Sequence, residues 1–332
     1  MTAPPEANDE PGTVHASSDA AALPTPLPSW RDTPTRQAIL SFVDSVTDPA
    51  SPDYVAPDAR LAVFDHDGTL WCEKPNLVHL YAIRDRYREL VRTQPRRLTG
   101  RLWRALRTND DTLFDSYNRW GDWVEPLADA LGVPFSDMDE AAYRDWMQGW
   151  LNRWRHPRFD VPVAGLVYRP MVELVQLLHE HDFRVAIATA DEAAFVQLVS
   201  RPFYGVPPEL VLGSSFTAGQ PAADEKTAVR RGYHPDSFGD GDNKRINVAA
   251  GLLQQPILVA GNSDGDVPLL EWVASAPGRT LPLLVAHTDA EREYAYTGRS
   301  RSALEAARTN GWVIADMARD WETVFPTATS EQ

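Results

Sequence analysis

Apolar residues fall into two patterns along this chain. Four short runs are almost continuously apolar: Leu61-Ala62-Val63-Phe64, Phe183-Arg184-Val185-Ala186-Ile187-Ala188, Pro256-Ile257-Leu258-Val259-Ala260 and Leu281-Pro282-Leu283-Leu284-Val285-Ala286. Unbroken apolarity over so few residues suits a strand buried on both faces, as in a parallel sheet covered by helices. Between the runs, Met171 to Leu178, Glu192 to Val199, Ile246 to Leu253 and Val267 to Ala274 carry apolar residues at helical spacing. Strands alternating with helices predict a doubly wound parallel α/β sheet. In such sheets ligands sit outside the carboxyl ends of the strands. The polar clusters fall there: Asp65-His66-Asp67-Gly68-Thr69, Thr189, Gly261-Asn262 and His287 each end one of the runs.

The flanks and the middle differ. Thr33-Pro34 reads as a helix start leading into Ile39, Leu40, Phe42, Val43 and Val46. The proline-rich acidic stretch before it, residues 1–32, is expected to be a disordered tail, because it has too little apolar surface to offset the entropy of ordering. From about Pro75 to Pro162 the composition shifts to tryptophan (Trp103, Trp120, Trp123, Trp146, Trp150, Trp154) and arginine, with helical spacings and no strand pattern. This predicts an all-helical insertion over 75–164, splitting an α/β core made of 33–74 and 165–327 and leaving 328–332 as a short tail. Asp236 to Asn243, rich in glycine and aspartate, reads as a loop.

Charge narrows the partners. Lysine and arginine total 32 against 47 aspartate and glutamate, a net charge of −15, which disfavours binding along a nucleic-acid backbone but leaves room for a local phosphate pocket. The single cysteine, Cys72, excludes an intrachain disulfide and fits a reducing cytosol. The N-terminal stretch has neither the basic start nor the apolar core of a secretory signal, and no run approaches the ~20 apolar residues of a membrane span. A soluble, cytoplasmic protein is expected, and its oligomeric state is left open.

Asp65 ends a buried strand and Asp67 lies two residues on, with Gly68 permitting a tight turn. Two carboxylates so close favour a bound cation or a shared proton, and a carboxylate can itself carry a phosphoryl group. A solvated Asp-Gly turn is the plain alternative. Thr189 offers a hydroxyl to a phosphoryl oxygen, or caps a helix. Gly261-Asn262-Ser263-Asp264-Gly265-Asp266 sets oxygen-bearing side chains at alternate positions, as a hard cation such as Mg²⁺ requires. It is not an EF-hand, since Val267 and Val273 occupy the positions of that loop's glycine and final glutamate. Lys244 follows an acidic loop and would supply positive charge beside a phosphate.

In chain order these clusters resemble the haloacid dehalogenase superfamily: FDHDGT its first motif, AIATAD its second, Lys244 its third and GNSDGD its fourth. The wording is similar to a group of bacterial phosphatases in its phosphoserine-phosphatase-like branch, through Phe64 to Trp71, His156 to Phe159, Leu166 to Met171, Gly261 to Asp266 and His287 to Tyr296. The resemblance covers roughly residues 35–326. It implies a Mg²⁺-dependent phosphomonoester hydrolase acting on a small soluble metabolite through an aspartyl phosphate. Asp65 would be the nucleophile and Asp67 the acid/base; Thr189 and Lys244 would bind the phosphoryl group. The metal would be held by Asp65, the Asp67 backbone carbonyl and Asn262, supported by Asp266. Asn262 stands where much of the superfamily has aspartate, so Asp264 is an alternative ligand. His66 stands where relatives often have asparagine and should point away from the phosphate. The insertion would correspond to a cap that selects substrate, with Arg153, Trp154 and Arg155 as candidates to reach it. Trp71 and Glu73, just after the first motif, are candidate substrate-binding residues, and His287-Thr288-Asp289 either lines the crevice or forms a turn. The rival readings are a dehalogenase, disfavoured by Asp67, a phosphotransferase of the same fold, and a catalytically silent metal- or phosphate-binding module.

Overall fold

The computed structural model describes residues 26–94, 133–136, 138–219 and 230–326. The described chain runs α1 (Pro34–Thr47), β1 (Leu61–Phe64), α2 (Val78–Thr93), α3 (Glu140–Leu151), α4 (Arg169–Glu180), β2 (Arg184–Glu192), α5 (Ala193–Tyr204), β3 (Val211–Gly219), β4 (Arg230–Ser237), α6 (Asp242–Leu252), β5 (Leu258–Gly261), α7 (Val267–Ala274), β6 (Leu281–Ala286), α8 (Arg301–Asn310) and β7 (Val313–Asp316). The strands form one sheet in the order β4-β3-β2-β1-β5-β6-β7, parallel except for the edge pair β3 and β4. From β1 the chain winds outward through β2 and β3, then restarts on the other side of β1 with β5. The winding therefore reverses between β1 and β5, where such sheets bind ligands.

The continuous apolarity of β1 follows from its place at the centre. Leu61 and Val63 face a layer that includes Val248 and Leu252 of α6, Leu269 and Val273 of α7 and Ala303 of α8. Ala62 and Phe64 face the opposite layer, with Phe42 of α1, Leu174 and Leu178 of α4 and Phe195 of α5. All four β1 side chains are fully buried. Removing each large one from water contributes about 1.5–3 kcal/mol.

Two expectations need correction. The end of the stretch expected to be a tail over 1–32 is instead packed, because Leu27 and Trp30 are buried core residues. Trp30 meets Trp321 edge-on at 5.9 Å and donates its indole N–H to the Pro170 carbonyl at 2.9 Å, while Ser29 donates its backbone N–H and its hydroxyl to Glu173. Two apolar anchors within a polar stretch suffice to dock it; residues 1–25 lie outside the described residues. The loop expected at 236–243 begins inside β4, which contains Asp236 and Ser237. The strands β3, β4 and β7 had no continuous apolar run to announce them, since β3 and β4 form a polar antiparallel edge and β7 is only half-buried along most of its length.

The described parts of 75–164 hold α2, a 3-10 turn at Val133–Phe135 and α3. Trp150 stacks on Trp154 with centroids 5.3 Å apart, and Trp146 and Trp150 donate their indole N–H groups to Glu89 and Asp85 of α2. These tryptophans tie the two helices together. Trp103, Trp120 and Trp123 lie outside the described residues.

Candidate active site

The backbone N–H of Asp65 donates to the Ala260 carbonyl at 2.8 Å, extending the β1–β5 ladder by one residue and fixing Asp65 at the point where the winding reverses. The next residues turn sharply: Gly68 N–H donates to the Trp71 carbonyl at 2.9 Å, and Leu70 N–H to His66 at 2.8 Å. Gly68 has φ +77°, and a Cβ there would lie 2.0 Å from Asn262 Nδ2, so conformation and space both require glycine. The turn brings Trp71 beneath Asp67, whose Oδ1 accepts the indole N–H at 2.7 Å.

The end of β5 supplies the other half. Asp266 Oδ2 accepts from the backbone N–H groups of Asn262 and Ser263, both at 3.0 Å, and from the Ser263 hydroxyl at 3.1 Å. Its Oδ1 takes a hydrogen bond from Lys244 Nζ at 2.6 Å, and the same ammonium donates to Asp65 Oδ1 at 2.8 Å. Asp65, Lys244 and Asp266 are all buried. Burial, and next the Asp266 carboxylate, push the Asp65 carboxyl well above its ordinary value against the pull of Lys244. For Lys244, burial opposes the cation, but Asp266, Asp65 and Asp240 outweigh it and hold the ammonium above its usual range. At Asp67 burial works upward, yet the neighbouring His66 and the Trp71 hydrogen bond win and keep the carboxyl below its ordinary value.

Thr189, on β2, is buried, and its hydroxyl accepts the Asp191 N–H at 3.0 Å. A cavity of about 150 Å³ opens over these groups, with Asp65, Asp67, Thr189, Lys244 and Asn262 in its lining. Leu77, Leu80 and Ile83, at and after the start of α2, give it an apolar wall; Phe216 and Phe238 stand among the remaining lining residues.

The structure thus brings together Asp65, Asp67, Thr189, Lys244, Asn262 and Asp266, with Asp266 positioned behind the others through Lys244. Glu73 lines the cavity and accepts from Asn262 Nδ2 at 3.5 Å. Trp71 does not line it, which corrects the expectation that it touches substrate: the ring is fully buried against His66 at 4.3 Å and Phe195 at 6.1 Å and serves Asp67. Asp264 is turned elsewhere, its Oδ1 accepting the Ala303 N–H at 2.8 Å at the start of α8. His66 is fully buried with Nε2 3.3 Å from the Tyr204 hydroxyl. His287 braces the turn, donating from Nε2 to the Gly68 carbonyl at 2.8 Å, with Nδ1 3.3 Å from Glu293. Arg153, Trp154 and Arg155 line a separate groove between α2 and α3. Among the described residues no cluster of three or more His, Cys, Asp or Glu side chains makes a ready metal cage. A cation would therefore need the Asn262 amide oxygen and backbone oxygen as well as carboxylate.

Sequence reasoning missed His79, Asp191, Glu192 and Arg231. His79 Nδ1 lies 2.6 Å from Asp191 Oδ1, and Glu192 is paired with Arg231 and accepts the Tyr143 hydroxyl at 3.2 Å. Asp191 closes AIATAD and Glu192 directly follows it, so their place at a motif was the one available signal. His79 sits at helical spacing among apolar residues and gave none.

The family model for haloacid dehalogenase-like hydrolases matches residues 62–271. Among solved structures, the chain is similar to a protein of unknown function from Bordetella pertussis Tohama I, at 20% identity and TM-score 0.50 over 78% of this chain and 98% of that one. It is similar also to a functionally unknown protein from Anaerococcus prevotii DSM 20548, at 14% identity and TM-score 0.52 over 89% and 96%. A phosphoserine phosphohydrolase-like protein from Francisella tularensis subsp. tularensis SCHU S4 aligns at 14% identity and TM-score 0.42 over 79% and 95%. A comparison with curated proteins gives no match.

Proposed function

The chain belongs to the haloacid dehalogenase-like hydrolases, and on that premise we propose that it is a Mg²⁺-dependent phosphomonoester hydrolase acting on a small phosphorylated metabolite through an aspartyl phosphate. The observation that carries this reading is Lys244 at 2.8 Å from Asp65, at a buried site that also holds Asp67 and Thr189. The ammonium pulls the buried Asp65 carboxyl back toward its ionised form, against burial and Asp266, and adds positive charge where a phosphate would dock. Asp65 attacks phosphorus, and the P–O bond to the alcohol breaks as the new one forms. Asp67 gives its proton to the leaving oxygen; the arriving phosphate dianion raises its affinity for that proton. Once the alcohol leaves, ionised Asp67 takes a proton from water, which hydrolyses the aspartyl phosphate and frees Asp65. Thr189 donates its hydroxyl to a phosphoryl oxygen.

Two carboxylates, Asp65 and Asp266, share Lys244, Asp67 lines the same cavity, and the donors are hard oxygens, which fits Mg²⁺. Asp65, the Asp67 carbonyl and Asn262 would hold it, and it would neutralise phosphoryl charge. Residues 75–164 act as the cap, with the beginning of α2 as its contribution to the cavity. No described helix is long and apolar enough to cross a membrane. The acidic net charge and the single cysteine favour a small-molecule substrate in a reducing cytoplasm.

A screen of phosphorylated metabolites for released phosphate tests the reading. Wild type should release phosphate with Mg²⁺, lose activity in EDTA and regain it on adding Mg²⁺, while Asp65→Asn should be inactive yet folded. Full activity in Asp65→Asn or in EDTA would overturn the mechanism. Transfer to an added alcohol in place of water would assign a phosphotransferase.

A further inference from the structure

The cavity has a second polar feature away from Asp65. His79 and Asp191 line it and are both largely buried, His79 only 4% exposed. Their facing atoms are fully used: Asp191 Oδ1 accepts from His79 Nδ1 at 2.6 Å and from the Glu192 N–H at 2.7 Å. Their other atoms are not, since His79 Nε2 and Asp191 Oδ2 are buried without a hydrogen-bond partner. Glu192 Oε2 stands 3.8 Å from His79 Nε2, beyond hydrogen-bond reach, and Glu192 is already engaged by Arg231 and Tyr143. Buried polar atoms are rarely left unpaired in a native protein, so a matched orphan pair beside a cavity calls for a ligand.

We propose that His79 and Asp191 form a hydroxyl-binding subsite for the alcohol portion of the phosphate ester, an inference that rests on the phosphatase reading above. Burial disfavours the His79 cation, but Asp191 and Glu192 outweigh it and hold the imidazole above its ordinary range. With Nδ1–H given to Asp191, Nε2–H is then a donor, and Asp191 Oδ2 is an acceptor. A hydroxyl both donates and accepts, and because the two ring nitrogens point apart, two neighbouring hydroxyls of a polyol satisfy the pair, one accepting from Nε2–H and the other donating to Oδ2. An ammonium satisfies only Oδ2 and sets its charge against the imidazolium. The subsite is rigid: the His79 ring is stacked on Phe195 at 4.3 Å and 5°, and the Asp191 N–H is tied to Thr189, the proposed phosphoryl ligand, which couples the two ends of the substrate through one backbone turn.

The test is a matched set of esters, glycerol 1-phosphate, propyl phosphate and 2-aminoethyl phosphate, assayed by phosphate release with wild type, His79→Gln and Asp191→Asn. Wild type should prefer glycerol 1-phosphate to propyl phosphate by about ten-fold or more in kcat/KM, because a site built to bond a hydroxyl discriminates strongly against its absence. Each variant should collapse that ratio. Both esters see the same folded fraction, so the ratio stays informative even where a variant is unstable. A ratio unchanged in both variants, or a wild-type preference for 2-aminoethyl phosphate that the variants erase, would overturn the subsite while leaving phosphatase activity standing. A wild type that releases phosphate from no ester would overturn the proposed function and this inference with it.

Discussion

Trp71 illustrates how a residue can matter to the site without touching its contents. The FDHDGT turn returns the chain so that the Trp71 indole N–H ends on Asp67 Oδ1 at 2.7 Å, while the ring itself is fully buried. A hydrogen bond to an ionised carboxylate is worth about 1.5–3 kcal/mol, and here it fixes which way Asp67 faces. Trp71→Phe keeps the aromatic packing and removes the donor. It should lower kcat about ten-fold for alkyl phosphates with little change in KM, read from steady-state phosphate release; an unchanged kcat would show that Asp67 is placed without it. The same turn explains why the first motif was legible in the sequence and Trp71's role was not. Strand, carboxylates and glycine are adjacent in the chain, whereas the direction of an indole is set by the path of the turn and by Phe195 on a distant helix.

The segment from His287 to Tyr296 behaves as a small structural element. Asp289 accepts the backbone N–H of Glu291 at 3.1 Å and of Arg292 at 2.9 Å, and its Oδ2 pairs with the Arg292 guanidinium at 2.5 Å. Arg292 in turn donates to the carbonyls of Met317, Trp321 and Glu322, fastening the C-terminal segment to the sheet. Burial works to raise the Asp289 carboxyl, and the Arg292 contacts overcome it and hold the group below its ordinary value. A carboxyl depressed in the folded state stabilises above its unfolded value of about 4, and this contribution is lost as pH falls through the lower folded value. Asp289→Ala should therefore lower stability by about 1–2 kcal/mol at neutral pH. The gap to wild type in urea denaturation should shrink as pH drops below about 4, and a gap independent of pH would contradict this account. Among elements, legibility followed burial. The two-sided strands β1, β5 and β6 and the helices α4, α6 and α7 announced themselves by unbroken or helically spaced apolarity. The edge pair β3 and β4 did not, because residues such as Ser214, Ser215 and Arg231 have only one buried face or none.

On the scale of the whole molecule, the sheet gathers its chemistry at one line, where β1 and β5 part, and the beginning of α2 walls the cavity there. Leu77, His79, Leu80 and Ile83 come from that stretch, while Arg153, Trp154 and Arg155 lie over another groove. Substrate choice should thus respond to Leu80→Ala, with altered relative kcat/KM across a panel of esters, and not to Arg153→Ala. The opposite outcome would move the specificity surface to the α2–α3 groove. The sequence order of the four motifs already implied this assembly, because carboxyl ends of parallel strands share one edge of the sheet; the share of α2 was hidden because helical packing, unlike strand order, leaves open which face meets the core. The central claim is that a phosphoryl group passes through Asp65. Acid quenching during turnover, followed by mass spectrometry of the peptide containing Asp65, tests it most directly. The account predicts a phosphoryl adduct on Asp65 that accumulates further in Asp67→Asn, where hydrolysis of the intermediate is slowed, and that is absent in Asp65→Asn. Steady phosphate release with no adduct on Asp65 in either active enzyme, or an adduct on another residue, would contradict it.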